Sequence, residues 1–357
     1  MRFAHLVPRT ARARAMVVAG FLAVVGIIAS VALPVPYVIV SPGPMFDTLA
    51  DFRGEKIVQI SDVTTYPTDG ELNMTTVSER GGPYGPLTVG EATYALFNQT
   101  MAVIPREILF GGDVDDEQTR QRSAADFDEA QSNAVAAALT TLDIPVTEEP
   151  IIAAVQTDGP ADGALEPGDI VLGVNGEPTA SSADVVAAVQ ALPPGTPTAI
   201  TVEREGEQTE VSVTTGDNPN DPGKSFLGVT LRRVFEAPFD IEFTLEGVGG
   251  PSAGLMFTLA IIDQLTPESL TGGGVIAGTG TIDPQGTVGA IGGIGQKMDA
   301  AAAGGAQLFL APRANCSTVR ENAPSGMTVA AVDTVDEALA ALAAHREGRP
   351  VVGCGAV

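Results

Sequence analysis

Gly247-Val248-Gly249-Gly250-Pro251-Ser252-Ala253-Gly254 opens the stretch that decides how this 357-residue chain is read, and Gly292-Gly293-Ile294-Gly295-Gln296-Lys297 closes it. Between them, Leu255, Met256, Leu259, Ile262 and Leu265 predict an apolar helix. Ser252 stands where that helix begins, with its hydroxyl beside backbone amides that have no partner in the helix. Lys297 follows a glycine-rich turn and opens a second helical run, Met298 to Ala303, which ends at Gly304-Gly305. A lysine in the first turn lies at the positive end of the helix dipole, and apolar surroundings disfavour its charged form. Both effects lower its pKa. A neutral amine can take a serine proton. A lone G-P-S-A-G would read as an N-cap between turns, so the case rests on the two motifs together.

Together, in this order, they resemble the proteolytic domain of the Lon family of Ser-Lys peptidases, over Phe226 to Leu342. The resemblance implies that Ser252 is the nucleophile, that Lys297 is its base, and that Thr279, in Thr279-Gly280, supports the lysine. The residue three before the serine, often acidic in Lon enzymes, is Gly249 here.

Composition narrows the alternatives. The net charge is −25, although four arginines (Arg2, Arg9, Arg12, Arg14) crowd the N-terminus. So acidic a chain repels nucleic acid. Only three of the 19 basic residues are lysines, Lys56, Lys224 and Lys297. Arginine cannot replace a lysine base, because guanidinium stays protonated. The two histidines are His5, in the N-terminal tail, and His345, in a polar C-terminal helix. A Ser-His-Asp triad could recruit only the latter, and a histidine zinc site has too few ligands. Tryptophan is absent and aromatics make up 5% of the chain, so its cores must be built from Val, Ile, Leu and Ala.

Residues 1–14 form a basic tail, and the uncharged run from Ala15 to Leu33 has the roughly 20 residues that cross a bilayer. The arginines predict a cytoplasmic N-terminus, a single span over 15–36 and an extracytoplasmic remainder. Ser30-Val31-Ala32 also fits a signal-peptide cleavage site, which leaves a processed leader as the alternative.

Residues 37–115 alternate as strands, among them Lys56 to Ile60 and Glu71 to Val77, and are expected to pack on the proteolytic domain. Leu87 to Phe97 and Met101 to Leu109 read as either helix or strand. The acidic run Gly111 to Glu117 lacks the spacing of an EF-hand loop and leads into a helix from Asp116 to Leu142. Ala125, Phe127, Ala130, Ala134 and Ala138 are its predicted buried side.

Gly159-Pro160-Ala161 followed by Gly163-Ala164-Leu165-Glu166-Pro167-Gly168-Asp169-Ile170-Val171-Leu172-Gly173-Val174-Asn175-Gly176 resembles the PDZ signature. The module would occupy 116–215 with its leading helix, with Ser182 capping a second helix and a hairpin around Gly206. The resemblance implies that it binds an extended peptide as an added strand, with the loop for a terminal carboxylate near 142–146. A PDZ that only orients domains is the alternative.

Residues 216–225 read as a linker. Gly223-Lys224-Ser225 ends like a phosphate-binding loop, but Asn218 stands where its first glycine belongs, so no nucleotide is expected. The segment 226–357 is the expected Lon-like domain. Cys316 and Cys354 lie outside the membrane, where a disulfide worth about 3 to 4 kcal/mol is expected, with two free thiols as the alternative.

The expected fold class is therefore α+β: one N-terminal transmembrane helix, a sandwich-like PDZ domain with helices, and a Lon-type α/β domain. The expected function is an ATP-independent serine endopeptidase acting on unfolded or extended extracytoplasmic proteins, with no cofactor and no metal. By analogy with Lon-type rings it forms a trimer or hexamer. A non-catalytic envelope scaffold that binds peptides through the PDZ module is the alternative function.

Overall fold

A computed structural model describes residues 11–111 and 115–355. The basic residues ahead of Ala11, and Gly112, Asp113 and Val114 of the acidic run, lie outside the described residues. Helix α1 (Ala11–Ala32) carries the apolar run: Arg14–Ala32 has a mean hydropathy of 2.5 and none of its residues is fully buried. It ends at Ala32, short of the expected 36, because Tyr37 already belongs to a strand.

The elements that place the rest follow in order. They are β1 (Tyr37–Asp47), β2 (Glu71–Arg80), β3 (Ala102–Pro105), α2 (Asp116–Thr141), β4 (Thr147–Val155), β5 (Ile170–Val174), α3 (Ser182–Gln190), β6 (Pro197–Arg204), β7 (Glu207–Thr214) and β8 (Val229–Glu236). Then come α4 (Gly254–Leu265), β9 (Val275–Gly278), α5 (Ile294–Ala303), β10 (Leu308–Pro312), β11 (Thr328–Val332) and α6 (Val335–Arg346).

One six-stranded sheet has the order β11-β10-β9-β2-β1-β3. From β11 to β2 the strands are parallel, and β1 and β3 extend the sheet antiparallel. Parallel strands buried on both faces read as unbroken apolar runs, and Leu308-Phe309-Leu310-Ala311 is such a run. Its alternate residues go to opposite faces. Leu308, Leu310 and Ile276 pack with Leu255, Met256 and Leu259 of α4. Phe309, Ala311 and Ala277 pack with Ile294, Met298 and Ala301 of α5. Helices thus cover both faces, and the serine and lysine motifs open helices on opposite sides of one sheet.

The strands expected to pack on the proteolytic domain instead form part of its sheet, with Glu71 to Met74 in register with Val275 to Gly278. Helix α2 also joins this body, since Phe127, Ala134 and Ala138 share a core with Phe257 of α4, while Ala125 is exposed. Leu87 to Phe97 resolves into helix Val89–Leu96, opened by a capping box between Thr88 and Glu91. Met101 to Leu109 resolves into β3 and helix Arg106–Phe110.

The second sheet, β7-β6-β5-β4-β8, is antiparallel and packs on α3 around Ile152, Val171, Val185, Ile200 and Leu227. Its buried Asp169 is held by Arg204 at 2.7 Å. Ser181, rather than Ser182, caps α3 by accepting from Asp184 N–H at 3.1 Å. The stretch read as a linker is instead tied into this module. Gly216–Asp217 pairs with Ser225–Phe226, Leu227 lies in the module's core, and β8 pairs along the whole of β4. Cys316 and Cys354 are disulfide-bonded, fastening the C-terminal tail to the helix Cys316–Asn322.

Candidate active site

Ser252 lies in the turn just ahead of α4. The N-cap position of that helix is Ala253, and no side chain caps it. The serine hydroxyl is therefore not occupied as a cap. Its carbonyl is fixed instead, accepting from Gly280 N–H at 2.9 Å and from the Thr279 hydroxyl at 3.0 Å.

Lys297 is the fourth residue of α5 and is 2% exposed. Gly293, the residue before that helix, is left-handed at φ 67°, and a Cβ there would come 2.7 Å from Val77. Glycine alone meets both demands. The turn it permits sets the lysine so that its amine reaches the loop that opens α4. The Lys297 Nζ lies 2.6 Å from Ser252 Oγ and 2.9 Å from Thr279 Oγ1. Burial pushes its pKa down to about 8. Among the described residues no carboxylate forms an ion pair with it.

Thr279 is fully buried, and its one hydroxyl hydrogen goes to the Ser252 carbonyl. Towards the lysine it can therefore only accept. A neutral amine has two hydrogens and one lone pair. With one hydrogen given to Thr279, the lone pair is available to the serine proton. The sequence motifs supplied all three residues of this cluster. His345 lies in the last turn of α6 and takes no part in it.

The cluster opens into a cleft of about 1010 Å3. One wall is Thr75 to Glu79 of β2, beyond the point where β9 stops pairing at Met74. Burial raises the pKa of Glu79 there. Another wall is α2, through Ser123 and Asp126. The Ser123 carbonyl accepts from Gly250 N–H at 2.8 Å, two residues before the nucleophile candidate. A Cβ on Gly249 would meet Ser123 Oγ at 2.3 Å, so the acid often found at this position in Lon enzymes would require the Ser123 hydroxyl to rotate away. Neither wall was foreseen from sequence. The Phe127, Ala130, Ala134, Ala138 stripe signalled a buried helix, but not what it is buried against.

In the second sheet, β4 is flanked by β5 and β8, so residues 142–146 lead into an inner strand. Of the two edge strands, β7 and β8, the one beside α3 is β8, entered through Gly228 at φ 75°. Its Phe235 N–H donates to Ser132 of α2 at 2.9 Å, so the outer edge is open only ahead of that contact.

A family profile for the PDZ domain matches residues 127–215, and one for the C-terminal proteolytic domain of Lon protease (S16) matches residues 247–344. A probable periplasmic serine endoprotease, DegP-like, of Brucella suis is 41% identical over 76 residues, 21% of this chain and 15% of that protein. The Lon protease of Buchnera aphidicola is 37% identical over 116 residues, 30% of this chain and 15% of that protein. The match to each thus spans 15% of the relative's length. The PDZ domain of an SdrC-like protein from Listeria monocytogenes aligns over 23% of this chain and 85% of its own, at 19% identity and a TM-score of 0.22.

Proposed function

We propose, from the premise that this chain joins a PDZ domain to a Lon-type proteolytic domain, that it is an ATP-independent serine endopeptidase. The observation that carries the proposal is the 2.6 Å approach of a buried lysine amine, with a pKa near 8, to the hydroxyl of Ser252. In the proposed cycle neutral Lys297 takes the Ser252 proton as Oγ attacks the scissile carbonyl, and then gives that proton to the leaving amine. The resulting ester is hydrolysed by a water that the same amine deprotonates. Thr279 holds the amine in place. The amides of Ala253 and Gly254, just after the nucleophile, are the donors suited to the oxyanion, since those of Leu255, Met256 and Phe257 already donate to the Gly280 and Ala253 carbonyls.

The open edge of β2 in the cleft suits an extended chain added as a strand, and so does the open part of β8 beside α3. The substrates are accordingly unfolded or extended proteins, selected in part by the PDZ module. Helix α1 anchors the chain, with its basic N-terminus in the cytoplasm and the catalytic cleft outside. The Cys316–Cys354 disulfide accords with that side of the membrane.

Ser252→Ala and Lys297→Ala are each expected to abolish cleavage of an unstructured substrate while thermal unfolding stays cooperative. Retained turnover in either folded variant refutes the dyad.

A further inference from the structure

Among the described residues outside α1, six of the thirteen large exposed apolar side chains lie in two short neighbouring segments. In helix Val89–Leu96 and at its end they are Tyr94 (65% exposed), Leu96 (71%) and Phe97 (86%), and in helix Arg106–Phe110 the most exposed is Ile108 (74%). Both segments are bonded to the backbone that leaves α1. Val89 N–H donates to Leu33 O at 3.2 Å, Val35 N–H to Leu87 O at 2.8 Å, and Arg106 N–H to Pro36 O at 3.1 Å.

Gly90 sits against the last turn of α1, where a Cβ would come 3.1 Å from the Ser30 carbonyl oxygen. Gly90, Tyr94 and Phe97 are spaced i, i+4 and i+7, so they share one face of their helix. The face that abuts the apolar span therefore continues into two exposed aromatic rings. On the inner side Ala95 and Leu87 pack in a small core with Ile39, which fixes the helix and keeps the rings outward.

A contiguous apolar patch on a protein surface needs an occupant. Aromatic rings flanking a span suit the headgroup layer of a bilayer. Charge does not drive the contact: the nearby Arg80 is paired with Glu91, and the chain as a whole is acidic.

We propose that this surface docks on the leaflet that α1 leaves, with Tyr94 and Phe97 at headgroup depth. The proposal rests on reading α1 as a membrane anchor. Because Tyr84 and Leu109 belong both to this apolar surface and to the lining of the catalytic cleft, docking holds the cleft at the membrane surface.

The chain has no tryptophan, so Phe97→Trp places a single reporter on the patch. Full-length protein is reconstituted in phosphatidylcholine nanodiscs with or without brominated acyl chains. Phe21→Trp in α1 and Val186→Trp on α3 serve as references, and Tyr94→Trp is a second patch reporter. The expected result is that the Phe97→Trp, Tyr94→Trp and Phe21→Trp proteins lose most of their emission to the brominated lipid, while Val186→Trp loses none. Quenching of Phe21→Trp without quenching at either patch position overturns docking and leaves the anchor standing. Patch reporters that are shielded from an aqueous quencher yet insensitive to brominated lipid overturn it in favour of contact with a second copy. An unquenched Phe21→Trp protein removes the anchor reading and the docking with it.

Discussion

Replacing Lys297 by methionine should inactivate the protein and yet stabilise it near neutral pH. Burial lowers the lysine pKa from 10.5 to about 8, so carrying the ammonium in the fold costs about 3 kcal/mol relative to an ordinary lysine. The folded-state pKa is the lower one. The cost is therefore fully present below pH 8, shrinks as pH rises from about 8, and is gone above 10.5, where folded and unfolded chains are both neutral.

Methionine fills a similar volume without the charge, but gives up the contacts to Ser252 Oγ and Thr279 Oγ1. Thr279 keeps its bond to the Ser252 carbonyl, so that loss is about 1 kcal/mol. The net expectation for Lys297→Met is a gain of about 2 kcal/mol at pH 7, turning into a loss of about 1 kcal/mol above pH 10.5. For a body of this size the neutral-pH gain raises Tm by roughly 5 °C. Thermal unfolding of both proteins in one detergent, across that pH range, measures the difference. A Lys297→Met protein that is less stable than the parent by the same amount at every pH would show that the amine carries no desolvation cost, and would refute the reasoning.

Gly249→Asp should lower kcat/KM while leaving the fold intact, because the new Cβ forces the Ser123 hydroxyl off its rotamer and presses on Ser123, whose carbonyl holds the Gly250 N–H of the loop that carries Ser252. Adding Ser123→Gly should restore part of the activity in the same peptide assay. Thr279→Val keeps the shape but leaves the Ser252 carbonyl with one donor fewer and the amine unheld, which predicts a loss of about 1–3 kcal/mol in stability and a fall in kcat, both measurable on the purified variant. Cys316→Ser with Cys354→Ser should cost about 3–4 kcal/mol by loop closure, read from denaturant midpoints, with the activity of the folded protein retained.

What was legible in the sequence was local. The glycines around Ser252 and before Lys297 mark two helix starts, and the PDZ signature fixes a turn, a strand and the two residues that close it. What was not legible depends on partners far along the chain. Nothing in Glu71 to Met74 announces pairing with Val275 to Gly278, since register is decided by the packed sheet. The same holds for α2, whose apolar stripe is compatible with either neighbouring body; Ala125, nine residues before Ala134, falls on the opposite side of the helix and faces solvent. Polar and charged residues in 216–225 suggested a linker because a two-residue pairing with a buried Leu227 behind it leaves little periodic signal. The 2.6 Å contact itself is a product of how the two helices are placed on the sheet, which no spacing of 45 residues encodes.

The most direct measurement of the central claim is the pH dependence of kcat/KM on an unstructured peptide. If the uncharged amine of Lys297 is the base, activity should climb tenfold per pH unit through the acidic and neutral range and level off above about pH 8. Lys297→Arg should be inactive throughout. A flat profile below pH 8, or turnover by the folded Lys297→Arg protein, would contradict it.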